Sequence, residues 1–227
     1  MIDVEICCNS RSSAEAAKEG GAWRIELCRD LACGGLTPSE EDIAYCVRQL
    51  GLRTHVLIRP RPGDFCYSAD ELAQIERSIL RCKELGAHAV VVGFLTPEGQ
   101  VDVELTRRMV RLAAPLEVTF HRAFDEALQD PIEALRVIAD CGCYRLLTSG
   151  QAPNALEGAE VIRRLVDYTR NLRILAGSGV TPDNVLELIE KTGVAEVHGS
   201  CKTTLPDGTV QTAPAQVRTL IEKVKGL

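Results

Sequence analysis

Aromatic residues are scarce in this chain, with four Phe, four Tyr and one Trp among 227 residues. So few rings leave little on which nucleic-acid bases could stack. A formal net charge of −6 also removes the basic excess a general nucleic-acid binder carries. No apolar run approaches the ~20 residues a membrane-spanning helix needs, so neither nucleic acid nor membrane is expected as a partner. A signal peptide is missing too: Met1-Ile2-Asp3-Val4-Glu5 leads straight into a strand, and Lys223-Val224-Lys225-Gly226-Leu227 matches no sorting signal. There is no linker, no low-complexity stretch and no dinucleotide fingerprint, hence no indication of a nucleotide or organic cofactor. Cysteine, by contrast, is plentiful. Ten cysteines without an export signal read as reduced thiols of a cytoplasmic protein.

Short runs rich in Val, Ile and Leu recur along the chain, at residues 3–7, 24–28, 54–58, 89–93, 117–121, 145–148, 173–176 and 195–198. They have the length and composition of strands covered on both faces. Helical segments separate them, near residues 12–19, 40–50, 69–85, 103–113, 131–141, 156–169, 182–191 and 214–225. Ser68 with Glu71 and Asp130 with Glu133 have capping-box spacing. Pro131 and Pro182 suit a first helical turn, and Gly20, Gly51, Gly86, Gly142 and Gly193 fall where helices should stop. Eight uninterrupted strand–helix units predict an α/β fold, a single-domain (β/α)8 TIM barrel over residues 1–227. A doubly wound open sheet is the competing architecture, since eight units do not by themselves require closure.

In such a barrel chemistry belongs at the C-terminal strand ends. Period-two alternation places Glu5 with Cys7, and Glu26 with Cys28, on one face of neighbouring strands. If that face points inward, Cys7 and Cys28 approach each other at the mouth, where paired thiolates favour soft ions such as Cu(I). Two buried thiols that merely pack the barrel are the plainer reading. Cys8 should face the helices, and Cys141-Gly142-Cys143 fits a helix end on the opposite side of the barrel. Strand three runs into Arg59 and Arg61, whose guanidiniums could fork onto a carboxylate or phosphate, or be neutralised by Asp64. Gly177-Ser178-Gly179 lies after strand seven, where barrels often hold anions. The segment LEVTFHRAFD delivers His121, Arg122 and Asp125 to the same rim, making His121 an acid–base candidate. An inward Glu26 needs a partner, for which Arg59 is the candidate. His198 has no assigned role, and His55 and His88 read as structural or exposed. No lysine stands at a strand end to form a Schiff base.

The segments ICCNS, RIELC, GGLTPS, IRPRPGDFCYS, TFHRAFD, LTSGQ, AGSGV and EVHGS together resemble the CutC family of copper homeostasis proteins, over about Glu5 to Ser200. That resemblance implies a cytosolic TIM barrel, a homo-oligomer (dimer or tetramer), and a role in copper handling. It also implies Cu(I) ligation by two cysteines, which map onto Cys7 and Cys28. The residues themselves keep a second hypothesis open: an enzyme for a small anionic or phosphorylated substrate. In that version Arg59, Arg61, Gly177, Ser178 and Gly179 hold the anion, and His121 and Glu26 exchange protons.

Overall fold

Along most strands one parity is aliphatic and the other largely is not, so the two faces of the sheet meet different surroundings. A computed structural model, describing residues 2–204, 208 and 210–227, resolves what those surroundings are. The strands β1 (Asp3–Cys8), β2 (Arg24–Leu27), β3 (Arg53–Leu57), β4 (Ala89–Val92), β5 (Glu117–Phe120), β6 (Arg145–Thr148), β7 (Arg173–Gly177) and β8 (Glu196–Gly199) are parallel and form a closed barrel in chain order. β8 pairs with β1, Glu5 lying opposite His198, which settles closure against the open sheet.

The helices α1 (Arg11–Glu19), α2 (Glu40–Ala44), α3 (Ala69–Leu85), α4 (Val103–Ala113), α5 (Pro131–Asp140), α6 (Ala159–Tyr168), α7 (Val185–Thr192) and α8 (Pro214–Val224) accompany the strands. Tyr45–Gln49 extends α2 as a π-helical segment. Ser68 and Glu71 complete both halves of a capping box. Asp130 instead caps α5 alone, accepting from the Ile132 and Glu133 amides. Pro182 lies in a turn ahead of α7, which starts at Val185, later than the proline implied. A hairpin, β9 (Lys202–Thr204) with β10 (Val210–Thr212), follows β8 and was not anticipated from the sequence. No helix of the described residues is long and apolar enough to cross a membrane.

Outward-facing Val4, Ile6, Ile25, Val56, Val90, Phe120, Leu146 and Val197 pack with the helices in the main core. Cys8 belongs to that layer, as its parity required, while Cys7 and Cys28 join Leu57 and Val91 in a separate cluster inside the barrel.

The barrel floor is ionic. Glu5, Arg24, His55, Arg145 and Glu196 are all nearly inaccessible to solvent. Arg24 lies 3.0 Å from Glu5 and 2.8 Å from Glu196, Arg145 lies 2.6 Å from Glu196, and His55 Nδ1 lies 2.7 Å from Glu5. Arg173 adds a contact to Glu196 at 3.0 Å from the rim. Burial alone would raise both carboxyls. The contacts to His55 and Arg24 hold Glu5 far below the usual carboxylate range, and Arg145 with Arg24 holds Glu196 below it.

Candidate functional site

The C-terminal strand ends enclose a cavity of about 1000 Å³, lined among others by Cys7, Glu26, Cys28, Arg59, His121 and His198. Because β1 pairs β2 with Cys7 opposite Glu26, and β1 pairs β8 with Glu5 opposite His198, barrel closure brings side chains from both ends of the chain together.

Cys7 packs against Cys28 in the small cluster inside the barrel. His198 Nε2 lies 3.0 Å from Glu26 Oε2 and 3.9 Å from Glu5 Oε1. Among the described residues, Cys7, Glu26 and His198 are the one group of three potential metal donors, their ligand atoms all within 4.8 Å of one another. Burial favours neutral imidazole. The Glu26 charge, with hydrogen bonding of the ring to Cys7 and Glu26, overcomes it and raises the His198 pKa well above its ordinary value. The neighbouring Cys28 and burial push the Cys7 thiol well above its ordinary value, with His198 pulling the other way.

Glu26 thus takes His198 as its partner and not Arg59. The reason is closure: β8 neighbours β1, while the Arg59 side chain turns to the loops. Arg59 Nη1 donates to Cys33 O and Gly35 O, and Nη2 to Gly63 O. Its guanidinium also lies over the Phe65 ring, 5.0 Å from the centroid. Gly35, at φ +89°, lets this loop pass close by; a Cβ there would sit 2.7 Å from Leu57 and 3.4 Å from Cys28 Cβ.

Arg61 does not reach the cavity. It pairs with Asp64 at 2.8 Å and Glu71 at 2.6 Å, a surface ion pair that uses its charge up locally. Ser178 and Gly179 do line the cavity, at φ 78° and 72°. Gly177 ends β7, where a Cβ would meet Leu147 at 2.5 Å.

His121 is 6 % exposed, and its Nδ1 accepts from the Ala123 amide at 3.0 Å. The ring fits only because residue 93 is glycine: a Cβ there would stand 2.3 Å from Nδ1. Burial first, then the charges of Arg59 and Arg122, push the His121 pKa down to about 3, so the imidazole is neutral. Asp125 is a loop organiser. Its carboxylate accepts from Arg122 Nε at 2.8 Å, the Thr148 hydroxyl at 2.5 Å and the Ser149 and Gln151 amides at 3.0 and 3.1 Å.

The missed residue is His198. Its signal was present, since Glu196 and His198 share the inward parity of Glu5 and Cys7. Cys141 and Cys143 are buried and take no part; the Cys141 thiol reaches only Val103 O, at 3.5 Å.

The CutC family profile matches residues 2–203. A family protein CutC from Vibrio vulnificus strain YJ016 is 47 % identical over 206 residues, covering 89 % of this chain and 82 % of that protein. The chain belongs to the CutC family. A CutC protein from Chromobacterium violaceum is 45 % identical over 200 residues, covering 88 % and 81 % of the two chains. The crystal structure of a protein described as the putative copper homeostasis protein CutC from Streptococcus agalactiae superposes with a TM-score of 0.83 at 33 % identity, covering 88 % of this chain and 99 % of that one. Phosphoribosyl anthranilate isomerase from Thermotoga maritima, at TM-score 0.66 and 16 % identity over the whole of both chains, shares the barrel alone.

Proposed function

We propose that this CutC protein handles copper by binding Cu(I) through Cys7 and Cys28, with His198 as a third donor. The reading rests on one observation: Cys7 and Cys28 pack together inside the barrel mouth, and the Cys7 sulfur, a His198 nitrogen and a Glu26 oxygen lie within 4.8 Å of one another there. The donor set suits the ion. Thiolate sulfur is soft and selects Cu(I), imidazole accommodates it, and a low coordination number needs no more than these groups. Glu26 acts on His198 from 3.0 Å, orienting the ring as outer-shell carboxylates do for metal-bound imidazoles. Ten free cysteines suit the reducing cytosol, where Cu(I) is the oxidation state to be handled.

The test is an anaerobic Cu(I) competition titration on wild type, Cys7→Ser, Cys28→Ser and His198→Asn, with circular dichroism to check each fold. Wild type is expected to hold one Cu(I). Either serine variant should lose at least a hundredfold in affinity and His198→Asn less, in line with the ~10–100-fold cost of disturbing groups around a metal. Equal Cu(I) affinity in wild type and both folded serine variants would overturn the assignment.

A further inference from the structure

Arg59 sits in this fold unlike the other buried arginines. Arg24 and Arg145 each meet carboxylates, at 2.8 and 2.6 Å from Glu196. The guanidinium of Arg59, a residue 7 % exposed, meets no carboxylate among the described residues: it lies over the Phe65 ring and donates to Cys33 O at 2.9 Å, Gly35 O at 3.2 Å and Gly63 O at 2.7 Å. A buried cation without a counter-charge is costly unless something supplies the missing anion. Of the carboxylates lining the cavity, Glu26 pairs with His198 and Asp125 with Arg122, and neither Glu126 nor Asp183 comes within ion-pair distance of Arg59.

A guanidinium carries five N–H donors in a fixed fork. Two on Nη1 and one on Nη2 are used by the three carbonyls, which lock the group in place. Nε–H has no acceptor, and the second Nη2 hydrogen has none either. These two share one edge of the fork, the arrangement that receives the two oxygens of a carboxylate. The Tyr67 hydroxyl stands next to Arg59 without a well-formed hydrogen bond and does not line the cavity.

His121 lines the same cavity and presents the same deficit. With Nδ1 accepting from the Ala123 amide, the neutral ring carries its proton on Nε2, and that buried Nε2 has no partner. A cavity of about 1000 Å³ is far larger than a bare metal ion needs and falls in the size range of organic-ligand pockets.

We propose that the barrel mouth binds a small organic carboxylate, held by the uncommitted Nε/Nη2 edge of Arg59 and by His121 Nε2–H. The planar two-donor edge of Arg59 beside a neutral imidazole suits a flat carboxylate monoanion; of the other cations, Arg122 is paired with Asp125, Arg61 points away, and Lys202 lines the cavity but is exposed. This ligand is separate from Cu(I) and does not depend on the thiols.

The experiment uses metal-free, nitrogen-15-labelled Cys7→Ser/Cys28→Ser protein, titrated with acetate, propionate, succinate and glutarate. The corresponding amides, inorganic phosphate and glycerol phosphate serve as comparisons. At least one carboxylate is expected to shift the Arg59 Nε–Hε and His121 Nε2 resonances saturably, with the amides and phosphates inert. His121→Leu, which keeps a buried apolar side chain, should weaken that binding about tenfold, the cost of one hydrogen bond to a charged group. Arg59→Lys should abolish the response because an ammonium lacks the fork. If Arg59→Lys fails to fold, the His121→Leu titration still decides. No saturable shift with any carboxylate, an equal response to phosphate or amide, or unchanged affinity in folded His121→Leu would each overturn the proposal.

Discussion

The floor and the mouth of this barrel are built from the same residue types to opposite ends. At the floor, Glu5, Arg24, His55, Arg145 and Glu196 face one another, and opposite charges meet within 3.0 Å. At the mouth, His198 pairs with Glu26 and Arg122 with Asp125, while Arg59 meets no carboxylate among the described residues, His121 Nε2 has no partner, and two thiols pack together. The difference teaches where to look for function. Charges that satisfy each other inside a barrel hold strands in register; charges left over at its mouth are available to a ligand.

The sharpest way to break the comparison is at the floor. Glu196→Gln keeps the shape but removes the charge that faces Arg24, Arg145 and Arg173. Leaving buried guanidiniums unpaired should cost about 3–5 kcal/mol, measured by urea unfolding, or prevent folding. A cost under about 1 kcal/mol would mean that the floor is not a mutually dependent network.

Next comes the loop between them. Gly35→Ala forces a Cβ to 2.7 Å from Leu57 at φ +89° and displaces the carbonyl that holds Arg59. The expected loss is about 2–3 kcal/mol, combining backbone strain and overpacking, with weakened ligand binding at the mouth. Equal stability and unchanged binding would separate that loop from the site.

Smallest at neutral pH, and growing only in acid, is the response of the mouth to protonation. His121 is held down to about 3 in the fold against 6.5 for a free histidine. The unfolded chain therefore takes up a proton first as pH falls. Stability contributed by neutral His121 is complete above pH 6.5 and is lost progressively toward pH 3, at most about 1.4 kcal/mol per pH unit. Stability curves of wild type and His121→Leu should diverge below pH 6.5 with the wild type steeper; parallel curves would contradict the burial of a neutral ring.

Much of this was legible in the residues. The eight aliphatic runs, the capping residues of α3 and the glycine ending α7 mark the elements closely, because local backbone chemistry decides them. Alternation on β1 and β2 was enough to put Cys7 and Cys28 on one face, since a pleated strand has no other choice. The partner of each charge was not legible. Arg59 and Glu26 looked like a pair from their strand-end positions, yet three carbonyls hold Arg59 and His198 holds Glu26.

What the sequence determined by itself is the order of the eight barrel strands and their helices and which side chains of a strand share a face, because both follow from short-range sterics. Only the tertiary structure decided that β8 closes onto β1. That contact joins residues far apart in the chain, and it is what sets Glu196 between Arg24 and Arg145 and brings His198 to Cys7. A pairing between the two ends of a sheet depends on the twist and shear accumulated over all eight strands, which no local stretch of sequence encodes.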